Sequence, residues 1–364
     1  MPSNPITPPP DGPIRGRGAA SNPDCRFCEH SRETVDDGWW QEDDADAPRT
    51  ELGIDSSRTI ISYNSSPDLP FDRSVNPYRG CEHGCIYCYA RPTHAWLGLS
   101  PGLDFERWIF YKPDAAEQLR RELAAPGYRP ANLVLGANTD PYQPVERRLG
   151  ITRELLKVLA DCGHPVAITT KSALVLRDLD LLAAMASRHL AAVQVSITTL
   201  DDELARRLEP RAASPQRRLR VIGDLAAAGV PVGILVSPLI PGLTDTDMER
   251  IVAMAAEAGA RRAGMLLIRL PREIKDLFSE WLRLHYPERA DKVLSLIRQC
   301  HAGRLNDPNF GTRMCGTGPV AELLQQRFRL AMRRHGLDWH DGCHLATEHF
   351  RPPPLSGDQM SLFQ

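Results

Sequence analysis

The stretch that decides the fold is Cys81-Glu82-His83-Gly84-Cys85-Ile86-Tyr87-Cys88, three cysteines within eight residues at the spacing C-x3-C-x2-C. One short loop therefore offers three thiolates. Structural zinc prefers four closed ligands, commonly delivered as separated C-x2-C pairs. A cubane iron–sulfur cluster held by only three cysteines keeps one iron without a protein ligand, and that iron can chelate a small molecule. Cys162, Cys300 and Cys343 stand alone, so cysteine abundance does not by itself generate the triplet. The competing reading is a zinc knuckle, or cysteines that share a turn.

Working outward, Asn76-Pro77-Tyr78-Arg79-Gly80 precedes the loop and Tyr89-Ala90-Arg91 follows it. At these residues the chain resembles the radical S-adenosylmethionine (SAM) enzymes, and among them the proteins similar to spore photoproduct lyase. Tyr87, aromatic and just before the last cysteine, fits that family's motif. The resemblance implies a [4Fe-4S] cluster on Cys81, Cys85 and Cys88, with SAM chelated to the open iron through its amino and carboxylate groups. It further implies reductive cleavage of SAM to methionine and a 5′-deoxyadenosyl radical that abstracts hydrogen from a substrate.

Composition sets wider bounds. A chain of 364 residues holds one large domain with appendages or two ordinary ones. Apolar content of 42% suffices for a sizeable core, and a net charge of −2 gives no global electrostatic reason for nucleic-acid binding. Nine cysteines, an odd number with three bunched on one loop, point to a reducing compartment. No run of about 18 apolar residues exists and the N-terminus lacks an apolar signal core, so the expectation is a cytoplasmic protein without a membrane span.

Residues 1–59 form an N-terminal extension rich in Pro, Gly, Asp and Ser, expected to be largely loop or disordered. Within it, Cys25-Arg-Phe-Cys28 followed by His30 is half of a second metal site without a nearby second half. From Ile60 strand and helix patterns alternate. Strands are expected over 74–80, 132–137, 165–170, 192–197, 230–236 and 264–270. Helices are expected over 113–124, 152–162, 179–189, 203–228 with interruptions near Pro210 and Pro215, 245–258, and 273–298 with a break at Pro287. Six β-then-α units in series imply parallel strands joined by right-handed crossovers. Six are fewer than the eight that close a barrel. The expected fold is an open, partial (β/α)6 TIM-type barrel over 60–300, a helical C-terminal cover over 301–350 and a flexible tail over 351–364. The gap in such a barrel needs covering by substrate or by the C-terminal segment.

In a barrel of this kind chemistry gathers on the loops after the strands. The second strand ends in Gly136-Ala-Asn-Thr139-Asp140-Pro-Tyr-Gln-Pro-Val-Glu146, similar to the family motif that receives the SAM amino group. Thr139, Asp140 and Glu146 are therefore candidates as its acceptors, against a reading as turn and capping residues. Lys171 after the third strand is placed near the SAM carboxylate by the resemblance; otherwise it is a solvated lysine. Ser196 and Thr198 stand at alternate positions of the fourth strand, with ribose or carboxylate as their implied partner. Arg211 in Glu209-Pro-Arg211 matches a carboxylate-binding arginine, against a solvated basic face. Pro241, in Ser237-Pro-Leu-Ile-Pro241-Gly242, belongs to a turn resembling the adenine-contact motif.

The substrate is less legible. A hydrogen-donating cysteine is expected shortly after the second strand of spore lyases, yet no cysteine lies between Cys88 and Cys162. That departure argues against the same repair reaction. Cys315 is a distant alternative donor, expected instead to be a buried structural thiol. The chain ends Gln359-Met360-Ser361-Leu362-Phe363, similar to the peptide by which bacterial repair proteins dock on the sliding clamp. The leading reading is a radical SAM enzyme of unassigned substrate, with nucleic acid as the favoured class and an unidentified electron donor. The alternative is a noncatalytic, zinc-stabilised DNA- or clamp-binding module.

Overall fold

The computed structural model describes residues 13–27, 49–339 and 344–354. Six strands form the middle of its main sheet: β1 (Arg73–Val75), β2 (Leu133–Leu135), β3 (Val166–Thr170), β4 (Ala191–Ser196), β5 (Val232–Leu239) and β6 (Arg262–Leu267). They lie side by side in chain order, and each neighbouring pair is parallel. Helices α1 (Ala115–Leu123), α2 (Ile151–Asp161), α3 (Leu179–Ala186), α4 (Pro215–Ala227) and α5 (Met248–Glu257) lie on the successive connections. Sequential order with one-handed crossovers puts all these helices on one face and curls the sheet into a barrel. The barrel stays open. Asp338–Trp339 adds a parallel edge beyond β6, and Ile61–Tyr63 adds an antiparallel edge beyond β1.

Local sequence explains these elements. In α2, Ile151, Leu155, Leu156, Val158 and Leu159 are buried at helical spacing, each contributing about 1.5–3 kcal/mol of burial. The expected break in 203–228 is real: Asp202–Leu208 is one helix and α4 another. The Ser214 side chain accepts from the Arg217 N–H at the start of α4, with Pro215 in its first turn. Helices α6 (Ile274–His285) and α7 (Pro287–Cys300) are likewise divided at Tyr286.

Two strand expectations need correction. The first strand ends at Val75 and does not run to Gly80, because Pro77 has no N–H to give a ladder. Tyr78–Arg79 instead pairs with Trp108–Tyr111 in a small second sheet that also contains Glu51–Ile54. The last strand stops at Leu267; the Leu267 N–H then donates to Met314 O (2.9 Å) and the Ile268 N–H to Leu239 O (3.0 Å).

The C-terminal segment bridges the open edges. Before helix α8 (Pro319–Arg334), Arg313 ion-pairs with Asp68 and donates to Ser66 Oγ at 2.7 Å, while the Gly311 N–H donates to Asp68 Oδ1 at 2.6 Å. Closed eight-stranded barrels fill their interior with bulky layers. Here Ser74, Ala167, Ala192, Gly233 and Gly264 line the interior, too small to fill it, and a cavity of about 1180 Å³ remains.

Candidate active site

The three cysteines of the loop all line this one cavity. The loop leaves β1 through Pro77, and its backbone is fastened at each end: the Cys81 N–H donates to Phe105 O (2.9 Å) and the Ile86 N–H to Leu208 O (3.1 Å). All three thiols are free. Burial pushes the Cys85 thiol up to about 12 and raises those of Cys81 and Cys88, so without a metal they are held as neutral thiols. Ligation by thiolate must therefore release protons. Among the described residues no three His, Cys, Asp or Glu side chains converge on a single ion. Three thiols from one loop lining the same cavity suit a donor set in which each cysteine would take a separate iron of a cubane.

A buried ion pair carries the loop. Arg91 and Glu106 are both fully buried, with Arg91 Nη2 donating to Glu106 Oε1 at 2.5 Å. The rest of the Arg91 guanidinium binds carbonyls: Nε donates to Cys85 O (2.9 Å), Nη2 to Gly84 O (3.1 Å), and Nη1 to Gly102 O (2.9 Å) and Pro101 O (3.2 Å). Glu106 also accepts from the Gly18 N–H (3.0 Å) and the Ala19 N–H (2.9 Å), while Arg17 Nη1 donates to Glu106 O (2.7 Å). Part of the N-terminal extension is thus packed onto the cysteine loop. A Cβ on Gly18 would collide with the Gly84 carbonyl, so the approach depends on glycine.

Tyr87 opens a second network. Its hydroxyl donates to Glu209, and Glu209 also pairs with Arg218 and accepts from Thr198 Oγ1 at 2.6 Å. Burial alone would raise the Glu209 carboxyl, but the charges of Arg218 and Lys171 hold it at about 2. Lys171 Nζ donates to Ser196 Oγ (3.0 Å) and lies 5.9 Å from the Tyr87 ring centroid; the Ser196 hydroxyl donates to Ser237 O (3.0 Å), which also lies 3.1 Å from Thr198 Oγ1. Of these residues Tyr87, Lys171 and Ser237 line the cavity, whereas Ser196 and Thr198 stand behind them.

The second-strand residues separate. Thr139 and Asp140 line the cavity, but their polar atoms are already engaged. Thr139 Oγ1 donates to Tyr78 O (2.9 Å). Asp140 Oδ1 accepts from Thr170 Oγ1 (2.8 Å) and the Tyr142 N–H (2.9 Å); Oδ2 accepts from the Lys171 N–H (2.7 Å) and lies 3.4 Å from His83 Nδ1. Burial opposes ionisation of Asp140, yet His83 and these donors hold it at about 2. Glu146 is fully buried off the cavity wall, bound by Tyr78, Arg177 (2.6 Å) and the Thr152 N–H (3.1 Å). Its expected place as an ammonium acceptor in the cavity is not where the fold puts it. Arg211 is also off the wall, paired with Glu82 at 3.0 Å, and Pro241 is buried beyond it, leaving Ser237 and Pro238 to face the cavity.

Sequence reasoning missed several residues. His83 sits between the first two cysteines, and that position was its only signal. Arg91 stands out only as part of the run after the last cysteine, with no role attached, and Glu106 gave no signal. On the β6 side the cavity is lined by Arg269, Arg313 and Cys315. Cys315 is half-buried, which corrects the expectation of a buried structural thiol. In the N-terminal extension the Cys25 thiol donates to Ala95 O (3.5 Å); Cys28 and His30 lie outside the described residues, as does the clamp-like peptide with Gln359, Met360, Leu362 and Phe363. No helix among the described residues is long and apolar enough to cross a membrane.

Comparison with known proteins agrees with this architecture. Residues 75–255 match the Radical SAM superfamily. An uncharacterised protein of Mycobacterium tuberculosis (strain H37Rv) is 38% identical over 233 residues, 64% of this chain and 68% of that protein. A protein of Pseudomonas phage M6, called a radical SAM Nalpha-GlyT isomerase, is 26% identical over 238 residues, covering 63% of this chain and 46% of that one. A mutant spore photoproduct lyase solved with AdoMet and a dinucleoside spore photoproduct has a TM-score of 0.55 at 17% identity, over 79% of this chain and 80% of that one. At that identity the likeness establishes the fold, an incompletely closed parallel barrel.

Proposed function

Since this chain belongs to the radical SAM superfamily, whose enzymes use a [4Fe-4S] cluster and SAM, we propose that Cys81, Cys85 and Cys88 hold the cluster and that the cavity beside them receives SAM and a nucleic-acid substrate. One observation carries this reading: three free thiols from one loop line the same large cavity. When bound, the cluster and SAM supply reductive carbon–sulfur cleavage and a hydrogen-abstracting radical.

The protein's own groups hold and orient. Arg91 and Glu106 fix the loop backbone so that the thiols keep their spacing. Lys171 offers its ammonium to the SAM carboxylate, and Ser196, Thr198 and Glu209 steady Lys171 and Tyr87 from behind. Asp140 positions Thr170 and the Lys171 backbone; its engaged oxygens make it a poor direct acceptor for the SAM ammonium. The small residues of the barrel interior leave room for a substrate behind the cofactor, and the ion pair between Arg313 and Asp68 ties the C-terminal segment to the loop at 66–68 across the open edges.

Nucleic acid is favoured as the substrate by the cationic groups on the cavity wall and by the shared fold of a lyase solved with a dinucleoside spore photoproduct. The absence of a cysteine in 136–140 separates this chemistry from that of the spore lyases as the sequence describes it. An external reductant must supply the electron.

The test is anaerobic reconstitution with iron and sulfide, then reduction in the presence of SAM, alone and with DNA, RNA and damaged oligonucleotides. The expected result is a brown protein that forms 5′-deoxyadenosine, faster with the nucleic acid that is its substrate. One equivalent of zinc, no cluster and no deoxyadenosine would establish the zinc-stabilised binding module instead.

A further inference from the structure

Arg269 is a guanidinium in the cavity wall that forms no ion pair among the described residues. Its Nε is buried and has no hydrogen-bond partner, and the side chain makes no hydrogen bond or ion pair among the described residues. Asp68, whose charge reaches Arg269, is committed to Arg313 and the Gly311 N–H. Burial lowers the affinity of Arg269 for its proton, and the charge of Arg313 adds to that. A cation withdrawn from water and facing a second cation is unfavourable unless an anion completes it.

The backbone around Arg269 is fixed. The Leu267 N–H donates to Met314 O (2.9 Å), the Ile268 N–H to Leu239 O (3.0 Å), and Ile268 O lies 2.9 Å from His301 Nε2, itself buried. The backbone that presents Arg269 is thus fixed by three segments, while its guanidinium has no salt bridge among the described residues. Beside it, Arg313 stacks on the exposed Phe310 ring at 4.4 Å, and Tyr89, half exposed, lines the same cavity. Flat aromatic faces next to cations suit a nucleobase with its phosphate. A guanidinium binds phosphate oxygens bidentately.

We propose that Arg269, assisted by Arg313, is the subsite for a phosphate ester of the nucleotide substrate, on the β6 side of the cavity. This deepens the nucleic-acid reading above and rests on it. The shared chemistry is an oxyanion, which a carboxylate also offers, so the test separates the two.

The experiment is calorimetric titration of the reconstituted, unreduced full chain with thymidine 5′-monophosphate, thymidine and acetate. The monophosphate is expected to bind at one site about tenfold or more tighter than thymidine, with acetate no better than buffer. Arg269→Gln should remove that tenfold advantage and leave the thymidine affinity unchanged. Arg269→Lys, which keeps the charge without the fork, should retain part of it and guards against a misfolded Gln variant. Arg261→Gln, exposed on the same cavity, should change nothing. Equal affinity of wild type and Arg269→Gln for the monophosphate, or binding of acetate as tight as the monophosphate, overturns the subsite. Deoxyadenosine formation in the same samples reads the radical chemistry separately. Loss of the subsite with intact SAM cleavage sinks this inference alone; phosphate binding without SAM cleavage sinks the radical reading alone.

Discussion

Around the cysteine loop the buried backbone carbonyls and the Glu106 carboxylate are engaged by protein, whereas on the β6 side and in the barrel interior of the same cavity buried polar atoms lack a partner among the described residues. Arg91 alone binds four carbonyls and Glu106, and Glu106 also takes two N–H groups from the N-terminal extension. Across the cavity, Arg269 Nε and Gln194 Nε2 have no partner among the described residues, and Cys315 is half-buried. Bonds through Arg91 and Glu106 tie down the loop backbone before anything binds, although Glu82 Oε2 beside Cys81 and His94 Nδ1 are left without a partner among the described residues. Unmet bonds on the other side leave desolvation that a ligand can offset, which is how a receiving surface differs from a scaffold.

Exchanging substitutions between the two sides is the most direct way to break that contrast. Cys81→Ala should abolish cluster retention and SAM cleavage, read as iron and sulfide content and 5′-deoxyadenosine after anaerobic reconstitution. Cys315→Ser, on the other wall, should leave both at the wild-type level. If the two variants lose iron alike, the division into a cofactor side and a substrate side is wrong.

Next in size is the ion pair beneath the loop. Glu106→Gln removes one partner of a fully buried pair and leaves Arg91 uncompensated, which costs about 3–5 kcal/mol. It also weakens the hold on Gly18 and Ala19. Chemical denaturation should show that loss, accompanied by slower cluster assembly. A drop smaller than about 1 kcal/mol would mean water reaches the pair and the loop is not rigid in the sense drawn here.

Lys171 sits where the two sides meet and sharpens the boundary between them. Lys171→Met removes the ammonium and keeps much of the stem. If it pairs with the SAM carboxylate, SAM affinity should fall about tenfold, the effect of one charge-assisted hydrogen bond, with cluster content unchanged. Equilibrium binding of SAM to the reconstituted protein measures it. An unaltered affinity would assign Lys171 to the Tyr87, Ser196 and Glu209 network alone.

The same contrast explains what could be read from the sequence. Metal ligation fixes cysteine spacing, so the loop was visible residue by residue. Buried parallel strands make apolar runs, so β3, β4 and β5 were found within a residue or two at most ends. Glu146 was misread because a carboxylate in a polar loop looks like an acceptor; its partners Tyr78 and Arg177 come from 68 and 31 residues away. The Arg91–Glu106 pair was hidden for the same reason. Arg269 was invisible in a different way, since what marks it is the partner it lacks, and only three dimensions show that.

The smallest expected effect concerns acid, and it tests whether the cofactor side is as dry as its bonding implies. His94, in the 3-10 turn just after the loop, is fully buried with Nε2 3.0 Å from Trp108 O. Burial holds it down at about 4, below the ordinary 6.5. Between those values the unfolded chain takes up a proton that the native state refuses, so stability falls as pH drops from about 6.5 to about 4, and no further below that. One such group contributes at most about 1.4 kcal/mol per pH unit. His164, also held at about 4 by burial, adds a similar slope from the far side of the barrel. The denaturation midpoint should therefore decline across this window, and His94→Phe should make the decline shallower. A profile flat from pH 7 to 4.5 would show that water reaches His94, and with it the ground beneath the cysteine loop.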